Sequence, residues 1–433
     1  MSATHPHFAP TPPAGWNSFD CFGSSVTEAE VLENAQILAS DYMGAGFDTV
    51  VVDYCWSHPS PGACVNPDQG SGYAPLLAMD LENRLIPAVE RFPSARGGLG
   101  FGPLAEQIHQ MGLKFGIHVM RGIPRQAVVF GLPGEVSRLC PREISNQEST
   151  CSWLNHMYGI RSDHPGGQTY YDSLFRLYAE WGVDYVKVDD MTFPYHEAEI
   201  EMIDLARQRC GRPMTLSLSP GACPFEAAEH VANHAELWRL SPDFWDRWAD
   251  LKRAFSLCHL WQDHRRVGCW PDPDMLPIGR ISKRGPAGAE RGSFFTETER
   301  RTMIAFWTLF RAPMFIGGNL REMGEGDREL LLHGGLQEIR KMGEGAVCRE
   351  DREGDSCVWV SPSRERGIVY AGIFNLGETR MERSYTMGEL GMPENRATVR
   401  NIWEIEKEKP SEKLAEVKVA IEPHGCALFA LGG

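Results

Sequence analysis

The chain has 433 residues, 42% of them hydrophobic, which is enough for one large domain with its own core and a smaller one beside it, and too apolar for a disordered chain. Its 43 lysines and arginines against 58 aspartates and glutamates leave a net charge of −15 with no basic run, which argues against nucleic acid and for a neutral or small polar ligand. No stretch reaches the length of a transmembrane helix, and the leader MSATHPHFAPTPPAG lacks the charged start and apolar run of a secretory signal.

Past that leader, Ala14 to Phe19 is a short segment ending in polar and aromatic side chains. Thr27 and Glu30 form a capping box, and Val31, Ala35, Leu38 and Tyr42 recur at helical spacing until Gly44 and Gly46 end the run. A buried strand, DTVVVD, then stops on Asp53 and Tyr54. The grammar repeats with a helix over 101–111, a strand over 114–120, a loop-rich insertion to about Gly167, a helix over 170–181 and the strand YVKVDDM from Tyr185 to Met191. Further pairs are a helix over 197–209 with a strand over 214–219, a strand over 236–240 with a helix over 244–261, and a strand-like 268–276. A capped helix over 296–309 leads into MFIGGNL at 314–320. Eight short strands alternating with helices, and no GxGxxG after the first, predict a (β/α)8 TIM barrel over residues 12–340 rather than an open doubly wound sheet. Beyond about Glu344 the period changes to strands, at 357–361, 367–374, 397–405, 414–421 and 426–431. They predict a small C-terminal antiparallel β-sandwich domain over 341–433, read as a module for stability or homo-oligomer formation.

Active sites of barrels lie at the C-terminal ends of the strands. The polar residues there are Asp53, His118, Lys187, Asp189, Arg239, Asp243, Asp272 and Asp274, with Trp16, Phe19, Trp56, Trp238, Trp245 and Trp270 close in sequence. Carboxylates that take hydroxyls and aromatic faces that cover C–H surface suit a sugar. A divalent-metal site made of the same carboxylates ranks lower, because no H-x-H or H-E-x-x-H cluster supplies imidazoles, and neither a metal nor another cofactor is expected. Side chains alternate along a strand, so Lys187 and Asp189 share one face and Asp190 takes the other. A structural salt bridge would use the same pair. A glycosidase needs an anionic carboxylate and a proton-donating one across the scissile bond. Asp189 beside the Lys187 cation fits the first role. Asp243, flanked by Trp238, Phe244 and Trp245 and so expected to be partly desolvated, fits the second, although S-P-D before an apolar helix is also an N-cap pattern.

GWNSF at 15–19, VDYCW at 52–56, GLKFGI at 112–117, YVKVDD, WRLSPDFWDRW, GCWPDPDMLPIG and FWTLFRAPMFIGGNL occur in order, and together they resemble the glycoside hydrolase family of α-galactosidases and α-N-acetylgalactosaminidases, the melibiases, from about Pro12 to the C-terminus. The resemblance implies a retaining exo-glycosidase without a metal, acting on terminal α-linked galactose-type residues of a small oligosaccharide or glycoside. It implies Asp189 as nucleophile beside Lys187, and Asp243 as acid/base four residues after Arg239. It also implies Asp53 as a sugar-binding carboxylate, Phe19 as the aromatic of the GWNSF motif, and Asp274 as the carboxylate ordering the end of the seventh strand.

Departures from the family pattern bear on the glycone. Tyr54 stands where a second carboxylate holds galactose hydroxyls, and His118 replaces a tyrosine. Ser219, Pro220, Gly221 and Ala222 replace a bulkier pattern at the fifth strand end, where the C2 substituent is read. Galactose, N-acetylgalactosamine and arabinopyranose, which keeps the galactose ring pattern without C6, all stay open. A transglycosylase on the same scaffold and a non-catalytic carbohydrate-binding protein are the remaining alternatives. Disulfide positions of secreted relatives fall here on Ser24, Met191, Ser219 and Ala235. With twelve scattered cysteines, no CxxC pair and no signal, reduced thiols and a cytoplasmic location are expected.

Overall fold

In the computed structural model, which describes residues 8–61, 76–352, 355–404 and 412–433, the apolar runs become eight parallel strands. They are β1 Ala14–Asn17, β2 Thr49–Val52, β3 Lys114–Met120, β4 Tyr185–Asp189, β5 Thr215–Leu218, β6 Leu237–Arg239, β7 Trp270–Asp272 and β8 Met314–Ile316. Their spatial order is β7-β6-β5-β4-β3-β2-β1-β8. Just past β7, Leu276 bridges Ile316 in parallel and closes the ring, its N–H donating to the Phe315 carbonyl at 2.8 Å. The expected (β/α)8 barrel is the observed architecture.

Strand alternation decides what the barrel encloses. Val50, Val52, Val186, Val188, Leu216 and Leu218 pack into the main core under the helices. The alternate residues Val51, Tyr185, Leu237, Trp270 and Phe315 form a separate cluster with Ala9 and Met275 that plugs the barrel interior. Trp270 Nε1 donates to the Ala9 carbonyl at 2.9 Å, so the leader seals the lower end. Residues two places further along therefore form the next inward layer, and they are Asp53, Lys187, Arg239 and Asp272. Asp189 and Asp274 stand one layer above.

Both capping boxes form: Glu30 accepts from the Thr27 N–H at 3.0 Å at the head of helix Glu28–Ile37, and Glu299 from the Thr296 N–H at 2.8 Å at the head of helix Glu297–Phe310. The helix expected from Phe244 begins only at Trp248. The Phe244 N–H is taken by the Asp274 carboxylate at 2.8 Å, and the Asp246 carboxylate is held by Arg291 at 2.9 Å and the Phe294 N–H at 2.6 Å, which pins this stretch as a loop. Asp243 is thus no N-cap.

The insertion after β3 is a three-stranded antiparallel sheet, with Met157–Ile160 between Ile123–Pro124 and Ser145–Thr150. Two helices, Glu325–Leu331 and Gly334–Met342, complete the helical layer before the second domain. That domain is a sandwich of β9 Val347–Asp351, β10 Ser356–Pro362, β11 Ile368–Asn375, β12 Met381–Thr386, β13 Thr398–Asn401, β14 Glu416–Ile421 and β15 Cys426–Gly432. One sheet runs β9-β10-β11-β15-β13 and the other pairs β12 with β14. Val358, Val360, Ile373, Val419 and Leu431 fill the space between them. The outer face of the larger sheet lies on the barrel, with Trp359 edge-on to Phe306 at 5.0 Å and Phe374 against Phe255 at 5.0 Å. Two strands were not expected: β9 (VCRED), where three of five residues are charged, and β12 (MERSYT), where only Met381 and Tyr385 turn inward. Ile405, the end of the strand expected over 397–405, lies outside the described residues.

Candidate active site

Nine of the residues singled out from sequence, Phe19, Asp53, Tyr54, His118, Lys187, Asp189, Ser219, Arg239 and Asp243, line one cavity of about 70 Å³ at the C-terminal ends of the strands, together with Trp153. Register explains the convergence: His118 of β3 stands beside Lys187 of β4, and Arg239 of β6 beside Asp272 of β7.

At the floor, Asp53 is 1% exposed and fully engaged. One oxygen takes the Lys187 ammonium at 3.0 Å and the Asn17 amide at 2.7 Å, and the other takes the Tyr54 N–H at 2.8 Å. Burial acts to raise the Asp53 pKa, but Lys187, His118 and these donors outweigh it and hold the carboxyl below the usual range. Lys187 is raised in turn: burial opposes its charge, and Asp53 more than compensates. Lys187 is thus paired directly with Asp53 and acts on Asp189 as a neighbouring charge. Asp53→Ala would leave that ammonium buried and unpaired, so denaturant unfolding should register a loss of about 3–5 kcal/mol in stability, against about 1 kcal/mol for an exposed pair.

Asp189 is held instead by Ser219, whose Oγ donates to Oδ1 at 2.9 Å, and by His118, whose Nε2 lies 3.6 Å from Oδ2. Burial pushes its pKa up, yet the hydrogen bond and charge of His118, the nearby Lys187 and the Ser219 hydroxyl bring it below the ordinary value. An anion results. Asp190 faces away as alternation requires, paired with Arg121 at 2.8 Å in a buried network with Glu199 and Tyr171.

Across the cavity, the Asp243 carboxylate accepts from Arg239 Nη2 at 3.2 Å and its side chain is 53% exposed. The expected desolvation does not occur, because Phe244 turns inward against Trp307 and Phe295 and leaves Asp243 open to solvent. Arg239 is itself anchored by Asp274 at 2.7 Å. Asp274 also accepts the Phe244 N–H, so the carboxylate of the PDPDML segment sets both the arginine and the loop that carries Asp243. Asp272 beneath is pushed up to about 7, first by burial and then by Asp274.

The remaining side of the cavity is aromatic. Tyr54, 6% exposed, stacks on His156 at 6.2 Å and 14° and stands edge-on to Phe19 and His118. It clusters with Cys55, Cys151, Leu154, Phe19, Met120 and Trp153. Burial drives the Tyr54 phenol far above its usual pKa, so it is neutral. Trp153 is the lining residue that the sequence reading passed over. It comes from the insertion, where no periodicity marks it, and the only signal was a tryptophan in a polar loop that leaves a strand at the barrel mouth.

Comparison with known proteins agrees with this architecture. A family model described as alpha galactosidase A matches residues 156–340, and one described as alpha galactosidase C-terminal beta sandwich domain matches residues 353–431. The structure of a GH27 β-L-arabinopyranosidase from Geobacillus stearothermophilus is 42% identical, covering 100% of this chain and 99% of its own, with a TM-score of 0.92. An aspartate-to-alanine variant of that protein in complex with arabinose gives a TM-score of 0.91 at 42% identity over the whole of both chains. The alpha-galactosidase of Cyamopsis tetragonoloba is 24% identical over 97% of this chain and 86% of its own. Among the described residues no helix is long and apolar enough to cross a membrane.

Proposed function

This chain belongs to the α-galactosidase family of glycoside hydrolases, GH27, and on that premise we propose that it removes terminal galactose-configured pyranosides by a double displacement in which Asp189 is the nucleophile and Asp243 the acid/base. In the first step an Asp189 oxygen bonds to the anomeric carbon as the bond to the aglycone oxygen breaks, and Asp243 passes its proton to that oxygen. In the second, a water oxygen attacks the same carbon, its proton goes to Asp243, and the glycosyl ester to Asp189 breaks. Anomeric configuration is retained. The observation that carries this reading is the pair of unequal carboxylates on one small cavity, Asp189 buried and held by Ser219 and His118, and Asp243 open to solvent beside Arg239.

Lys187 and Asp53 offer an ammonium and a carboxylate to the ring hydroxyls, and Phe19, with Lys187 5.9 Å from its ring centre, offers an apolar face. Ser219 is short enough to leave room beside C2. The aromatic side points to one glycone within the class. A hydroxymethyl group on C5 would meet the neutral Tyr54 and its apolar cluster in place of a carboxylate, and a buried hydroxyl without a good partner costs on the order of 1–3 kcal/mol. A β-L-arabinopyranoside has the stereochemistry of an α-D-galactopyranoside at C1 to C4 and only hydrogen at that position. We therefore expect kcat/KM for p-nitrophenyl β-L-arabinopyranoside to exceed that for p-nitrophenyl α-D-galactopyranoside by about 10-fold or more, and Tyr54→Asp to move the ratio toward the galactoside by a similar factor. Equal or better use of the galactoside by the wild type would overturn the glycone assignment. Turnover of neither would overturn the reaction.

A cytoplasmic location fits the same reading. The described cysteines are free thiols, as expected of a reducing compartment. Its substrates would then be short glycosides already inside the cell.

A further inference from the structure

One cluster of metal-binding side chains lies outside the sugar cavity. The segment EHVANH at 229–234 places His230 and His234 four residues apart, on one face of helix Ala228–His234 after β5. That face meets helix Glu197–Arg209, which follows β4. The two imidazole rings are 4.5 Å apart, and His230 Nε2 lies 3.6 Å from Glu201 Oε1 and 4.0 Å from Glu197 Oε1. One donor atom from each of Glu201, His230 and His234 lies within 4.8 Å of the others.

Both histidines are oriented from behind, as metal-ligating imidazoles are. The Tyr195 hydroxyl lies 2.6 Å from Nδ1 of His230, and the Asp204 carboxylate 3.0 Å from Nδ1 of His234. Each contact leaves Nε2 as the nitrogen available to a ligand. His230 Nε2 is buried and makes no hydrogen bond, and a buried polar atom left in that state is costly.

We propose that Glu201, His230 and His234 bind one Zn²⁺ ion on the outer helical layer of the barrel, with water or Glu197 in the fourth position. Two imidazoles and one carboxylate suit a borderline ion, whereas Ca²⁺ and Mg²⁺ take oxygen ligands. In a tetrahedral Zn²⁺ site with bonds of about 2.0–2.1 Å, donor atoms sit about 3.3 Å apart, so side-chain shifts of up to about 1.5 Å would close the cluster from the 4.8 Å within which its donors lie. The ion would clamp together the two helices that follow the strands leading to Asp189 and Ser219. Its effect would be on stability, since none of its ligands lines the sugar cavity.

The test uses the untagged full chain, dialysed against a chelator and titrated with ZnCl₂ in competition with a chromophoric chelator, with thermal unfolding followed in parallel. The wild type should take up one equivalent of Zn²⁺, unaffected by excess Mg²⁺, and its unfolding midpoint should rise with Zn²⁺ concentration. His230→Gln should lose that equivalent and the rise in midpoint. Glu201→Gln, on an exposed side chain, and Tyr195→Phe, which removes only the hydroxyl behind His230, should each weaken binding by about 10-fold or more and serve if His230→Gln does not fold. Absence of saturable uptake by the wild type would overturn the proposal. So would an undiminished equivalent in these variants, which would assign the metal to thiols or other donors.

Discussion

On the proposed mechanism Asp189→Ala should abolish turnover, with kcat lower by about 10⁴-fold or more on every substrate, because the carboxylate that forms the glycosyl ester is gone and the reaction loses its first covalent step. The fold should survive, since the partners left behind are the Ser219 hydroxyl and His118, and His118 still has the Asp53 carboxylate as a neighbouring charge. Lys187 keeps Asp53 at 3.0 Å, so the floor of the cavity is untouched. The space left by the carboxylate admits a small anion, which makes the outcome diagnostic of role. Azide supplied to Asp189→Ala should attack from the face the nucleophile used and release a glycosyl azide of inverted configuration. Steady-state kinetics with and without azide, and NMR of the product, check both parts. Substantial residual activity without azide would remove Asp189 from the chemistry.

Asp243→Ala should show a loss that depends on the leaving group. Alkyl glycosides and disaccharides need the departing oxygen to be protonated, and their kcat/KM should fall by about 10²- to 10⁴-fold; a dinitrophenyl glycoside, whose phenolate leaves unaided, should keep most of its first-step rate. With the first step spared and the second lacking its base, the glycosyl ester should accumulate as a burst. Azide then attacks the ester from the face opposite Asp189 and gives a glycosyl azide of retained configuration. The contrast with Asp189→Ala separates the two carboxylates by stereochemistry as well as rate. Collapse of the loop does not supply a competing explanation, because Asp274 continues to hold Arg239 at 2.7 Å and the Phe244 N–H at 2.8 Å. An equal loss on all leaving groups would contradict the assignment.

The barrel and its cavity were legible in sequence because both follow from one period. Val51 and Asp53, Tyr185 and Lys187, Leu237 and Arg239, and Trp270 and Asp272 are each two residues apart, so an apolar plug and the polar layer above it are written on the same strand faces. Pairings between strands were not legible in that way. Lys187 is two residues from Asp189 in sequence, but its partner Asp53 stands just past β2, and only closure of the barrel brings them together. Asp243 looked desolvated from its neighbours, whereas the direction in which Phe244 turns is decided by Asp274, 30 residues away in contact with its backbone. Trp153 belongs to an insertion without a period, and His230 and His234 show their spacing while Glu201, on another helix, does not show that it faces them.

In the proposed mechanism Asp189 and Asp243 act in two successive displacements on one galactose-configured glycone. Proton NMR of the first sugar released from p-nitrophenyl β-L-arabinopyranoside, recorded before mutarotation, tests it most directly. β-L-Arabinopyranose should appear first and its α anomer only later, by mutarotation. Initial appearance of the α anomer would require a single displacement by water and would contradict it.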